Sequence, residues 1–205
     1  MIPLIIISFI ALVIIIDRYI TIKKSKLNVP AFLVKIRGML IKEDVSGAMS
    51  YCIEEKSAAA NIIKSGLKKY HLGHERVRES IENAGRQEIA KLEKGLSVVA
   101  TIAGIAPLIG FLGTVTGMIQ AFMKIQDLQG SANPSDLAGG IWEALITTAV
   151  GLAIGIVALA FYNYLTNLIN KLVLDMEVVS NDVLDIIEET NRGNEIKEED
   201  IEIEL

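Results

Sequence analysis

The sequence predicts an all-α membrane protein with three transmembrane helices, the second and third extended far into the cytoplasm. Three observations predict it. First, 51% of the residues are hydrophobic and the mean hydropathy is +0.44, more apolar than an ordinary soluble domain. Second, the excess is gathered into three uncharged runs, Ile2–Ile16, Gly95–Met123 and Ala144–Asn170, against the ~20 apolar residues a helix needs to cross a bilayer core. Third, helical periodicity continues from the second and third runs into charged sequence.

The first element is a transmembrane helix over residues 1–20. Its uncharged part rises only ~22 Å against a hydrocarbon core of ~30 Å. Either the helix runs on to Ile20 with Arg18 snorkelling to the lipid phosphates and Asp17 pairing with it, or the native protein has residues ahead of Met1. Nothing basic precedes the run and no small-residue cleavage site follows it, which argues against a signal peptide. Residues 21–94 form a cytoplasmic helical loop. Pro30 starts an amphipathic piece over Ala31–Ile41, Asp44 caps a second through Glu55, and Ser57 caps a third that Gly73 ends. From about Glu75 the periodicity is unbroken to Met123, so residues 95–123, the second transmembrane helix, are the far half of one long helix. A turn covers residues 124–136, where Gly130, Asn133 and Pro134 break helices and Pro134 suits a first turn. The third transmembrane helix covers 137–170. Its cytoplasmic extension runs over 171–190, with Leu172, Met176, Val179, Val183 and Ile187 in one stripe, and residues 191–205 are a frayed acidic tail.

Net charge is −5, but the sign is segregated. Residues 18–94 carry 16 Lys/Arg against 9 Asp/Glu, and residues 171–205 carry 3 against 12. Basic residues beside membrane spans mark the cytoplasmic side. Lys23, Lys24, Lys26, Lys91 and Lys94 therefore put the loop and the C-terminus in the cytoplasm, and the N-terminus and the short turn in the periplasm. This topology accounts for the basic loop without a nucleic-acid partner. Cys52 is the single cysteine and is expected to be a small buried residue.

Glu143 is the one acid placed within a span. Intramembrane charge is costly, by ~2.5 to 3.5 kcal/mol at a helix centre on insertion scales. It points either to a bundle interior or wet cavity, or to a side chain that reaches water at the outer interface. Thr147 shares its face, and Thr148 follows. Two stripes of small residues mark close helix packing: Gly110, Gly113, Thr114 and Gly117 on the second span, and Thr147, Thr148, Gly151 and Gly155 on the third. Their hydroxyls either pack or line an ion pathway, for which Glu143, Thr148, Thr147, Thr114 and Thr101 are the candidates. Pro107 frees the Ala103 carbonyl, which then needs a threonine, a water or a neighbouring subunit. His71 and His74 lack the further ligands zinc requires. No nucleophile, base and orienter are grouped, so no enzyme activity, metal or cofactor is expected.

The segments ATIAGIAPLIGFLGTVTGM (100–118) and GGIWEALITTAVGLAIGI (139–156) resemble the family of MotA, TolQ and ExbB, the ion-driven motor subunits of bacterial inner membranes. The specific pattern is A-P-x-x-G-x-x-G-T-V-x-G followed by G-I-x-E-A-L-x-x-T-A-x-G-L. Three spans with one long loop between the first two resemble its ExbB and TolQ branches, and KLEKGLSVVATIAG resembles ExbB most. The resemblance covers roughly residues 1–190. It implies a homo-pentamer around an ExbD- or TolR-like single-span partner whose membrane aspartate carries the proton, in contact with a TonB-like protein and membrane lipids. Proton motive force would then energise outer-membrane transport. It also implies that Glu143 and Thr148 face the pore. Many members have Thr-Ala-Pro where this chain has Ile105-Ala106-Pro107, so Thr101 or Thr114 would have to supply the missing hydroxyl. The alternatives are a TolQ-like subunit of a Tol-Pal envelope-maintenance complex and a passive membrane scaffold.

Overall fold

The computed structural model describes residues 1–127 and 134–203, with side chains described for 1–127 and 138–190. Every element among them is helical: α1 (Ile2–Lys24), α2 (Val29–Leu40), α3 (Val45–Glu55), α4 (Ala58–Leu67), a 3-10 turn (Tyr70–Leu72), α5 (His74–Glu93), α6 (Leu96–Asp127) and α7 (Pro134–Ile203). Three stretches of helix are long and apolar enough to cross a membrane: Ile2–Lys24, His74–Asp127 and Ala138–Thr190.

The chain divides into two compact units. One holds residues 1–19 and 94–166, and the other holds 20–93 and 167–205. In the first unit, α1 turns Leu4, Ala11 and Ile15 inward at helical spacing. An apolar groove of about 280 Å³ lies between Ala11, Leu12 and Ile15 of α1 and Ile154, Val157 and Phe161 of α7. Much of the remaining surface of α1, α6 and α7 is large and apolar, with Leu108 66% exposed, Phe111 63% and Ile156 66%. In water such a surface would drive aggregation, whereas in a bilayer it faces hydrocarbon or a neighbouring helix.

The second unit is built from short helices whose starts are written in the sequence. Asn28 caps α2 by accepting from the Ala31 amide, with Pro30 in the first turn. Asp44 caps α3 through the Gly47 amide at 2.8 Å, and Ser57 caps α4 through the Ala60 amide at 3.2 Å. Each cap satisfies an amide that the first turn leaves without a partner. The helices bury Phe32 and Ile36 of α2, Cys52 of α3, Ile63 of α4 and Val77 of α5. From α7 they bury Ile169, Leu172, Val179, Val183 and Ile187. Helices α4 and α5 meet most closely: a Cβ at Gly66 would stand 2.5 Å from Ile81 Cγ1, and the Ser80 hydroxyl donates to the Ser65 carbonyl at 2.7 Å. Arg37 of α2 reaches Glu189 of α7 at 3.6 Å.

Three expectations change. The first helix does not stop near Ile20. It runs to Lys24, and its 23 residues rise ~34 Å, enough for the hydrocarbon core. Arg18 and Asp17 form the expected ion pair. The helix expected over Glu75–Met123 is interrupted at Lys94–Gly95. Gly95 has φ +83°, a left-handed conformation open to glycine, and its carbonyl accepts from the Val98 and Val99 amides to start α6. The frayed tail is also replaced, because backbone helix continues through Ile203. Glutamate, a good helix former, is the commonest residue of that stretch, which has no proline, and both favour continuation. The expected turn, with Gly130 and Asn133, lies at residues 128–133, outside the described ones; Pro134 is the first residue of α7.

Candidate functional site

The site is the seam between α6 and α7 in the first unit. Small residues let the two backbones approach so closely that side chains could not be added. A Cβ at Gly110 would lie 3.0 Å from Thr148 Cα, and one at Gly113 would lie 2.6 Å from Thr147 Cγ2. At Gly117 it would meet Ala144 Cβ at 2.8 Å, and at Gly151 the Ala106 carbonyl oxygen at 2.6 Å. At Gly155 it would meet Pro107 Cγ at 2.6 Å. The register is antiparallel, with Gly117 opposite Ala144 and Pro107 opposite Gly155. Gly104, in the same uncharged run, would meet nothing, so it takes no part in the seam.

Helix α6 is continuous through Pro107. The Ala103 carbonyl that this proline deprives of an amide faces Gly155, where a Cβ would lie 3.0 Å from the oxygen. A glycine there brings backbone C–H groups to an acceptor that would otherwise face only apolar atoms. Among the described residues, that carbonyl therefore packs against the α7 backbone at Gly155.

About two helical turns further along, two hydroxyls meet. The Thr148 hydroxyl lies 2.7 Å from the Gly110 carbonyl oxygen and 3.2 Å from Thr114 Oγ1. Thr114 in turn donates to the Phe111 carbonyl at 2.6 Å. Each hydroxyl has one proton and spare lone pairs. When both donate to carbonyls, the contact between them has no proton and is open to one. Rotation about the Cβ–Oγ1 bonds lets the two hydroxyls exchange donor and acceptor roles.

Thr101 does not join this pair. Its hydroxyl donates to the Ser97 carbonyl at 2.8 Å on an exposed face. Thirteen residues separate it from Thr114, placing it on the order of 140° around the helix. Of the two candidates to replace the hydroxyl missing at Ile105, only Thr114 touches Thr148.

Glu143 and Thr147 lie on a second, neighbouring feature. The Thr147 side chain is buried and its hydroxyl donates to the Glu143 carbonyl at 2.9 Å. The Glu143 carboxylate is exposed on a cleft of about 380 Å³ between α6 and α7, toward the ends at Asp127 and Pro134. Thr116, Gln120 and Lys124 of α6 line its other wall. These three were not singled out in the sequence, although their spacing of four residues in an otherwise apolar helix is a legible signal: it stacks polar groups on one face.

The comparisons fall on the same stretch. The model of the MotA/TolQ/ExbB proton channel family matches residues 54–178, which include both walls of the seam. A putative biopolymer transport protein ExbB homolog of Methanothermobacter thermautotrophicus is 28% identical over 157 residues, 77% of this chain and 55% of its own length. The putative biopolymer transport protein ExbB-like 1 of Synechocystis sp. is 38% identical over 113 residues, 54% of this chain and 44% of its own. The biopolymer transport protein ExbB of Xanthomonas campestris pv. campestris is 34% identical over 109 residues, 53% of this chain and 43% of its own. The chain spans about half the length of the curated relatives it matches. With three apolar helices, a glycine-lined seam holding paired threonines, and a family match that covers both of its helices, this chain belongs to the MotA/TolQ/ExbB proton channel family.

Proposed function

We propose that the chain is the channel-forming subunit of an inner-membrane complex of the ExbB type, in which proton flow energises transport across the outer membrane. The observation that carries this reading is the Thr148–Thr114 hydroxyl pair beside the Glu143 cleft, inside helices that otherwise present apolar surface. An intramembrane carboxylate that faces a polar cleft, with rotatable hydroxyls nearby, is the kind of group that relays protons or passes ions through a membrane. The names of the relatives, biopolymer transport proteins, support the transport role.

Residues 95–123 contain no acid, and residues 139–156 contain Glu143 alone. A relay of threonines and one glutamate conducts better with a second titrating group in line. From the resemblance to the ExbB and TolQ branches we propose that a single-span ExbD- or TolR-like partner supplies an aspartate, enclosed by a pentamer of this chain and coupled to a TonB-like protein. Lys23 and Lys24 at the end of α1 support a cytoplasmic position for the second unit and for the end of α7, with the N-terminus in the periplasm.

Energised uptake by cells that depend on this protein tests the reading. Glu143→Ala and Thr148→Val are expected to abolish uptake while the purified oligomer keeps its size. Wild-type uptake in either variant would remove that residue from the pathway.

A further inference from the structure

We propose that Lys124 makes the polar cleft selective for protons over metal cations. The inference rests on the proton-channel reading and adds the residue that decides which cation passes.

The cleft of about 380 Å³ is large enough for a hydrated ion, since a water takes ~30 Å³ of liquid volume. Its wall is also suited to one. Glu143 is exposed there, with the hydroxyls of Thr116 and Thr147 and the amide of Gln120 beside it. Carboxylate, hydroxyl and carbonyl oxygens are the hard donor set that an alkali cation takes in place of water. Lys124 changes this. Among the described lining residues it is the one cationic side chain, and Glu143 is the one acidic side chain.

A sodium ion would have to enter as an additional positive charge. It would meet an ammonium that carries three donors and no acceptor, and so cannot join a coordination shell. For a cleft on the order of 9 Å across and an effective dielectric near 20, one such charge lowers the population of a second monovalent cation on the order of tenfold. The same field acts on the proton, but a proton needs neither a shell of oxygens nor the space the ammonium occupies. It binds one Glu143 oxygen, turning the carboxylate into a neutral acid. It then leaves to a water or a threonine hydroxyl, which passes its own proton on, and Glu143 is a carboxylate again.

The test uses the complex of this chain with its membrane partner, purified and placed in liposomes. Proton flux is read with a pH-sensitive dye and sodium flux with radioactive sodium. The wild-type complex is expected to carry protons at a rate independent of sodium. Lys124→Gln and Lys124→Glu are expected to raise the ratio of sodium to proton flux on the order of tenfold or more, and Lys124→Arg to leave it unchanged. Gln120→Glu makes the same unit change in cleft charge with Lys124 in place. It is expected to raise the ratio as well, and it carries the test if the Lys124 variants do not assemble. Proton flux with a wild-type ratio in both Lys124→Gln and Gln120→Glu overturns the role of Lys124 and leaves the channel reading standing. A wild-type complex with no proton flux above that of protein-free liposomes overturns the channel reading itself.

Discussion

Cys52 shows how one side chain reports on its surroundings. It is fully buried in the second unit among α2, α3 and α4. Burial pushes its thiol up from an ordinary value near 9 to about 11, opposed in part by the charge of Lys64. The folded value is the higher one, so the associated stability is complete below pH 9. It is lost as pH rises from 9 through 11, because the unfolded thiol ionises first. Two pH units correspond to about 3 kcal/mol. Since the thiolate is the reactive form, iodoacetamide at pH 8 is expected to label the native protein at least ~100-fold more slowly than the unfolded chain. Equal labelling rates would contradict the buried position. The burial of Cys52 was legible from composition and spacing. So were the caps at Asp44 and Ser57, because a short polar side chain ahead of an apolar run has a local cause. The Thr114–Thr148 contact was not legible: it depends on two residues 34 apart in sequence meeting in one register, which no local pattern fixes.

At the scale of elements, the α6–α7 seam is held by shape. A side chain at Gly151 would put its Cβ 2.6 Å from the Ala106 carbonyl oxygen and 2.9 Å from Gly110 Cα, both backbone atoms that cannot swing aside. Gly151→Val is therefore expected to destabilise the hairpin by about 1–3 kcal/mol or to prevent its assembly. Gly104→Ala, on α6 and facing open space, is expected to be neutral or to gain about 0.5–1 kcal/mol. Thermal unfolding of the two variants in detergent compares them directly, and equal melting temperatures would rule out the packed seam. The two stripes of small residues are visible in the sequence, and helix phase alone already sets Gly104 apart from the stripe that holds Gly110. The break at Gly95 was missed because a lone glycine inside a periodic pattern costs only about 1 kcal/mol, so the pattern gives little sign of a positive φ. Gly85 lies inside α5 without interrupting it. Thr116, Gln120 and Lys124 differ in chemistry and lie one turn apart, so they form a polar wall only as one face of α6.

For the whole molecule, three apolar helices with broad exposed hydrophobic surface account for the membrane assignment, and composition alone carried it. A hydrocarbon solvent demands long apolar helices whatever their packing, so this is the level at which sequence speaks most plainly. The pathway is a finer matter, built from a hydroxyl pair, one carboxylate and a polar cleft within a single hairpin. The central claim is that this hairpin conducts protons through the Glu143 cleft. It is tested most directly by imposing a pH gradient across liposomes that contain the assembled complex and following the internal pH. The account predicts rapid equilibration with wild-type protein and, with Glu143→Gln, equilibration no faster than in protein-free liposomes, at equal incorporation and oligomer size. Equilibration at the wild-type rate in Glu143→Gln would contradict it.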